Sequence, residues 1–198
     1  MADFPERLIP QDFFRELTPE EMFPHAEHPL EVDLGCGDGS FLLAMAQHFP
    51  ERNFLGVERL AGRVGKVERR IRRLGLKNVR ILRLESAYTV GWLLPAASVS
   101  RLHLLCPDPW PKKKHHRRRL VIDPEFQNGL KRVLVPGGEF LHKTDNDEYF
   151  QVATEAFDSL PHFHRLEWPE NAFFYPRTDF EQHWLSQGRS IQRARWRL

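Results

Sequence analysis

The sequence predicts an α/β fold: a mostly parallel sheet with helices covering both faces. Three observations predict it. Short apolar runs alternate with amphipathic stretches of about ten residues along most of the chain, the rhythm of strand–helix–strand units. The first apolar run ends in a glycine-rich turn that opens straight into a helical pattern. The 198 residues are 41% hydrophobic and 28% charged, enough apolar mass for one core without disulfide or metal staples.

The elements follow in order. Residues 1–28 are proline-rich and irregular, with Phe4, Phe13, Phe14 and Phe23, and are expected to form an arm or short helix packed on a domain spanning 29–198. Leu30–Leu34 reads as a strand, Ser40–Gln47 as a helix, and Asn53–Val57 as a strand ending at Glu58. Arg63–Leu74 reads as a helix stopped at Gly75, a position suited to a left-handed cap. Val79–Leu82 and Leu102–Leu105 are the third and fourth strands. Asp123 and Pro124 begin another helix as N-cap and first-turn proline. Pro136-Gly137-Gly138 should turn the chain into a strand over Glu139–His142, followed by a helix over Asp147–Leu160. A strand near Phe163–Leu166, an aromatic loop, a short helix near Phe180 and a strand near Ile191–Trp196 complete seven strands. Such sheets bind ligands at the carboxyl ends of their strands, near the point where strand order reverses.

Composition narrows the function classes. No apolar run approaches the ~20 residues of a membrane span, and the N-terminus is acidic and broken by prolines, unlike a secretory leader. Two cysteines supply neither a disulfide framework nor a structural zinc site, and no metal-ligand spacing stands out. His103 and His142 lie on predicted strands and are expected to be packed. The reading is of a cytoplasmic monomer or homodimer without metal. The net charge of +2 conceals an asymmetry: residues 112–119 read Lys-Lys-Lys-His-His-Arg-Arg-Arg. Outside that run 23 Lys and Arg stand against 27 Asp and Glu. A second basic stretch lies between Arg63 and Arg73. Local positive charge of this kind points to a polyanionic partner.

The glycine turn reads Asp33-Leu34-Gly35-Cys36-Gly37-Asp38-Gly39-Ser40, and Glu58 ends the next strand, where an acid can accept both hydroxyls of a ribose. Two cofactors suit this pattern. A dinucleotide would place pyrophosphate beside Asp33 and Asp38, which repel it, and Ser40 stands where a third glycine belongs. S-adenosylmethionine carries an ammonium and a sulfonium and no phosphate, so the acids favour it. The fourth strand ends Cys106-Pro107-Asp108-Pro109-Trp110-Pro111, a stiff turn presenting Asp108 and an indole able to stack on a base. The basic run follows at once, and its place beside the methyl-donor site makes phosphate its expected ligand.

These motifs, followed by Thr144-Asp145 and Thr178-Asp179-Phe180-Glu181, occur in one order. Together they resemble the tRNA (guanine(46)-N7)-methyltransferase family of the bacterial single-chain type, over roughly residues 28–198. The resemblance implies a class I, Rossmann-like methyltransferase fold with a seven-stranded, mostly parallel sheet. It implies methyl transfer from S-adenosyl-L-methionine to N7 of guanine 46 in the variable loop of tRNA. It also implies a donor site at Asp33, Gly35, Gly37, Glu58 and Asp108, with Asp108 as the catalytic residue. Ser86-Ala87 stands where the family usually has Asp-Ala, so Ser86 or Glu85 takes the adenine contact. Substrate contacts fall to Lys112, Asp145, Thr178, Asp179, Phe180 and Glu181, and tRNA phosphates to Lys113, Lys114, His115, Arg117, Arg118 and Arg119. Asn146 replaces the family's usual Trp, and the N-terminal arm is short and acidic where relatives often carry a basic extension.

The rivals are another nucleic-acid methyltransferase, a non-catalytic RNA-binding module and a nucleotide-dependent reductase. Amine methylators usually place two consecutive prolines at this strand end, whereas Asp108 sits between prolines. Intact Asp33, Glu58 and Asp108 argue against a non-catalytic module.

Overall fold

In the computed structural model, residues 5–198 are described. The elements in chain order are β1 (Arg7–Leu8), α1 (Pro19–Met22), β2 (Leu30–Leu34), α2 (Ser40–His48), β3 (Asn53–Val57), α3 (Ala61–Leu74), β4 (Val79–Leu82), α4 (Ser86–Tyr88), β5 (Val99–Leu105), α5 (Pro124–Val133), β6 (Leu134–Thr144), α6 (Asp147–Asp158), β7 (His164–Leu166), α7 (Asp179–Ser186) and β8 (Gln192–Arg197). A π turn over Thr89–Leu93 extends α4. The strands form one sheet ordered β1-β4-β3-β2-β5-β6-β8-β7, in which only the pairs with β8 are antiparallel. The order reverses at β2, which pairs with β3 on one side and β5 on the other.

The sheet has eight strands, one more than expected. The extra strand is β1, from the N-terminal arm: Arg7 and Leu8 pair parallel with Ile81 and Leu82. Its two residues show no alternating pattern long enough to read as a strand. The arm also buries Leu8, Leu17, Met22 and Phe23 in the core. Phe4, an aromatic of the expected arm, lies outside the described residues. Pro136-Gly137-Gly138 does not precede β6 but forms an irregularity within it, with Gly137 at φ +78° and the register to β5 shifting there. A bulge satisfies the same positive-φ demand as a turn without ending the strand.

Local chemistry accounts for the helix boundaries. Asp123 caps α5 by accepting from the Glu125 amide, with Pro124 in the first turn. Asn146 and Thr178 cap α6 and α7 by accepting from the amides of Tyr149 and Glu181. Gly75, at φ +65°, ends α3. Gly56 lets α2 settle onto β3, because a Cβ there would lie 2.5 Å from a Leu42 methyl.

The two faces of the sheet differ. One face carries Val32, Leu34, Leu55, Leu102, Leu104, Phe140 and Trp196 under α5 and α6. On the other, Phe54, Val79 and Ile81 pack beneath α2 and α3. The central part of that second face is ionic. Glu31, Arg101 and Glu139 lie abreast on β2, β5 and β6. His103, 1% exposed, bridges Glu31 (2.9 Å) and the Tyr175 hydroxyl (2.8 Å). Arg52 bonds the other Glu31 oxygen at 2.6 Å. Glu139 takes Arg101 at 3.0 Å and is also bonded by Arg195 and Arg197. Burial alone would raise the Glu31 pKa; the His103 hydrogen bond, with Arg52 and Arg101, outweighs it and holds the carboxyl below its ordinary value. His142 is also packed, accepting no charge: burial pushes it down to about 4. Both histidines are thus structural, as expected from their place on strands.

Glu31→Ala would strip His103 and Arg52 of a fully buried acceptor. A loss of about 3–5 kcal/mol is expected from leaving such partners uncompensated, read from urea unfolding. A loss below 1 kcal/mol would show that the ionic layer contributes little to stability.

Candidate active site

The carboxyl ends of β2, β3 and β5 open onto two adjoining hollows that share Gly35, Arg63, Leu105 and Cys106. The larger, about 570 Å³, is lined by Asp33, Gly37, Asp38, Ser40 and the Thr178–Phe180 segment. The smaller, about 370 Å³, is lined by Glu58, Glu85, Ser86, Asp108, Trp110 and Arg118.

Asp33 sits at the end of β2, 3% exposed. No hydrogen bond or ion pair engages its carboxyl among the described residues. Burial, and then the neighbouring Glu58, push its pKa up to about 7. Gly35, Gly37 and Gly39 all have positive φ, which carries the loop past Asp33 without side chains. Nothing lies within 4 Å of where a Cβ on Gly35 or Gly37 would sit. A cationic ligand against Asp33 therefore meets open backbone. Glu58, 5% exposed, has one oxygen bonded to the Leu60 amide at 2.8 Å and the other 3.7 Å from Arg63. Ser86 begins α4 and lines the same hollow; Glu85 is the N-cap, its carboxylate accepting from Tyr88.

The turn after β5 is stiff in a way that three prolines alone do not explain. Cys106 (φ +47°) and Trp110 (φ +49°) both adopt left-handed backbone, bracketing Pro107-Asp108-Pro109. Asp108 is exposed, and one of its oxygens accepts from the Trp110 amide at 3.0 Å. The Trp110 ring is faced by the Arg118 guanidinium at 4.8 Å. Cys36 and Cys106 both line the larger hollow, and burial pushes both thiols up, Cys106 to about 12, so neither is activated.

In the basic run Lys113–Arg118 forms 3-10 turns. Its anchor is Arg119, which departs from the expected phosphate set. Arg119 is 1% exposed, bonds both Glu148 oxygens (3.0 and 3.1 Å) and donates to the Pro109 carbonyl at 2.9 Å. It ties the run to the Pro-Asp-Pro-Trp turn and is not available to RNA. Lys112, Lys113, Lys114, Arg117 and Arg118 are exposed, and His115 is half-buried.

The other residues expected to contact substrate divide. Thr178, Asp179 and Phe180 line the larger hollow. Glu181 is 5% exposed; one oxygen bonds Lys143 at 2.8 Å and the other is buried without a partner. Asp145 lines neither hollow and lies 3.7 Å from Arg189. Asp38, taken as an anion repellent, is held by Lys66 at 2.9 Å, with Arg70 donating to its carbonyl at 2.8 Å. The charge argument against pyrophosphate thus rests on Asp33. Sequence reasoning missed Arg63, which lines both hollows; its place in the first turn after Glu58 was the available signal. Away from the cleft, before β2, the side chains of His25, Glu27 and His28 bring ligand atoms within 4.8 Å of one another on the surface. Among the described residues no helix is long and apolar enough to cross a membrane.

A glycine loop under a switch point, an unpartnered buried acid and a second acid one strand over define an S-adenosylmethionine-dependent methyltransferase fold. The solved structures agree: the 16S rRNA methyltransferase KamB superposes with a TM-score of 0.60 at 19% identity, over 86% of this chain and 87% of that one. A SAM-dependent O-methyltransferase from Thermotoga maritima gives 0.57 at 15% identity, over 85% of this chain and 58% of that one. Residues 27–194 match the family described as "Putative methyltransferase". The tRNA (guanine-N(7)-)-methyltransferase of Syntrophotalea carbinolica is 34% identical over 83% of this chain and 72% of its own length. That of Leifsonia xyli is 38% identical over 82% and 73%. The chain belongs to the tRNA (guanine-N(7)-)-methyltransferase family.

The raised pKa of Asp33 has a signed consequence. Its carboxyl ordinarily ionises near 3.8 but holds its proton to about 7 in the fold. Between those values the folded state binds a proton that the unfolded state has released, so this group's contribution to stability falls as pH rises through the window. Asp33→Asn should match the ligand-free protein near pH 4 and exceed it in stability at pH 8, measured by urea unfolding. A difference independent of pH would refute the assignment.

Proposed function

We propose that this protein transfers a methyl group from S-adenosyl-L-methionine to N7 of guanine 46 in the variable loop of tRNA, in the cytoplasm. The observation that carries the reading is a juxtaposition. A buried acid with no cation paired to it among the described residues, the Asp108 turn and an exposed basic run meet at the ends of three neighbouring strands.

When bound, S-adenosylmethionine supplies an electrophilic methyl group on a sulfonium. Asp33 would hold the cationic end of the donor, with Gly35 and Gly37 admitting it to the backbone. Glu58 would accept the ribose hydroxyls once Arg63 swings aside, and Ser86 would reach the adenine. Guanine N7 carries a lone pair and no proton, so attack needs no general base. The chain's task is to hold base and donor in line at a site closed to water and to stabilise positive charge developing on the purine. Asp108, lining the hollow beside Trp110, suits that electrostatic role. Thr178, Asp179 and Phe180 would frame the base, and the buried free oxygen of Glu181 would accept from a guanine N–H brought to it. Lys112–Lys114, His115, Arg117 and Arg118 would meet phosphates.

Incubation with unmodified tRNA and labelled donor, followed by mapping of the modified base, tests the reading. Label at N7 of guanine 46 is expected; label on an adenine, or none, would sink it. Asp108→Ala should lose activity at least about 100-fold, the scale of removing one preorganised electrostatic group. Asp108→Asn keeps the hydrogen bond to Trp110 and separates loss of charge from loss of the turn. If Asp108→Asn turns over like the wild type, the charge is not what the reaction uses.

A further inference from the structure

The second basic stretch, between Arg63 and Arg73, has no part in the function described so far. On α3 the buried residues Val64, Val67 and Ile71 define the inner face. At 3.6 residues per turn, Arg63, Lys66, Arg69, Arg70 and Arg73 fall within an outer arc of about 120° and extend over about 15 Å. The stripe begins at the cleft, since Arg63 lines both hollows. It continues into a surface hollow of about 580 Å³ walled by Lys66, Arg69, Arg70 and Arg73 against only Asp38 and Asp179. Asp179 is shared with the larger hollow of the active site, so the two are continuous.

The internal pairing of these cations is uneven. Arg63 lies 3.7 Å from Glu58, and Asp38 takes Lys66 and Arg70. Arg72, on the flank, is held by Glu6. Arg69 and Arg73 are exposed and have no carboxylate partner among the described residues. Surface helices commonly offset such charge with acids at i±4; Glu68, the only acid of α3, lies on the flank of Arg72, 3.9 Å from it, and bonds Arg7 rather than the outer arc. Five cations on one arc with two left unbalanced repel one another unless a polyanion lies along them.

We infer that the outer face of α3 is a second phosphate track, which takes a stretch of RNA backbone leaving the larger hollow, whereas Arg118 of the basic run borders the smaller one. The inference rests on the reading of the substrate as tRNA and deepens it. A substrate held at two separate places on the cleft is fixed in orientation, which one basic run cannot do. Phosphate contacts position without reading sequence, and arginines on one helix face meet that need.

The test is the double variant Arg69→Glu/Arg73→Glu in the full chain, with donor affinity by calorimetry as the check on folding. Neither side chain bonds another residue among the described residues, so wild-type donor binding is expected. The affinity for unmodified tRNA should fall at least tenfold, and the slope of its logarithm against the logarithm of salt should flatten by about 1.4–1.8, the share of two phosphate contacts. Lys131→Glu/Arg165→Glu, at exposed positions on α5 and β7 that line neither the cleft nor the α3 hollow, makes the same change in net charge and should cost far less. Equal losses in the two double variants, or an unchanged salt slope in the first, would overturn the track. Lys113→Glu/Lys114→Glu separates the two levels of the argument. If that variant weakens tRNA binding and the α3 variant does not, the track fails alone. If neither does, the reading of the substrate fails with it.

Discussion

The structure depends on a charged layer buried against one face of a parallel sheet. Sheets of this type are ordinarily covered by apolar helices on both faces. Here β2, β5 and β6 present Glu31, Arg101, His103, Glu139 and Lys143 to the same side, and each finds a partner. What covers them is an aromatic loop. Phe173 lies under Arg101 and Arg195, and Lys143 sits near the rings of Trp168 and Tyr175. Because cations can lie against aromatic faces, the loop seals much of the layer, with Phe41 of α2 against His103 and Glu181 of α7 on Lys143. Removing one partner leaves a buried charge, so the loop, β8 and the sheet are held as a unit.

That layer gives Asp33 its character. Glu31 has His103 and Arg52, Glu139 has three arginines, and Glu181 has Lys143. Asp33, on the same face of β2 and one pleat further along, has none among the described residues. The contrast is local and physical: the chain satisfies the acids that serve stability and leaves unsatisfied the one that opens onto the cleft. The same economy holds at the surface, where Arg119 is spent on structure while its neighbours in the run stay free.

Much of this was legible in the sequence. Seven strands and their order along the chain follow from apolar runs bounded by caps and glycines, and the caps at Asp123 and Gly75 lie where their chemistry requires. Asp33, Glu58 and Asp108 stand at strand ends because a strand followed by a glycine or proline turn has only one place to put its last acid. Other features depend on tertiary partners. β1 forms because β4 offers an edge, and nothing in two residues announces it. Arg119 looks like its neighbours until Glu148, twenty-nine residues away, is seen to clamp it. Asp38 reads as a free anion until α3 brings Lys66 beside it. Glu181 reads as a free substrate contact because its Lys143 partner lies on β6, thirty-eight residues away in the chain.

The bracketed turn after β5 bears on how the molecule tolerates change. Left-handed backbone at a residue with a Cβ costs about 1–2 kcal/mol, and two such residues flank the Pro-Asp-Pro core. That cost is met in the folded chain before any substrate arrives, so little ordering entropy is left to lose on binding. It also reverses the usual relation between loops and drift. Surface loops accept insertion and exchange because their backbones have room to adjust. This one has no such room at any of five consecutive positions, so a single added residue would displace Asp108 more surely than a substitution in the core beneath it.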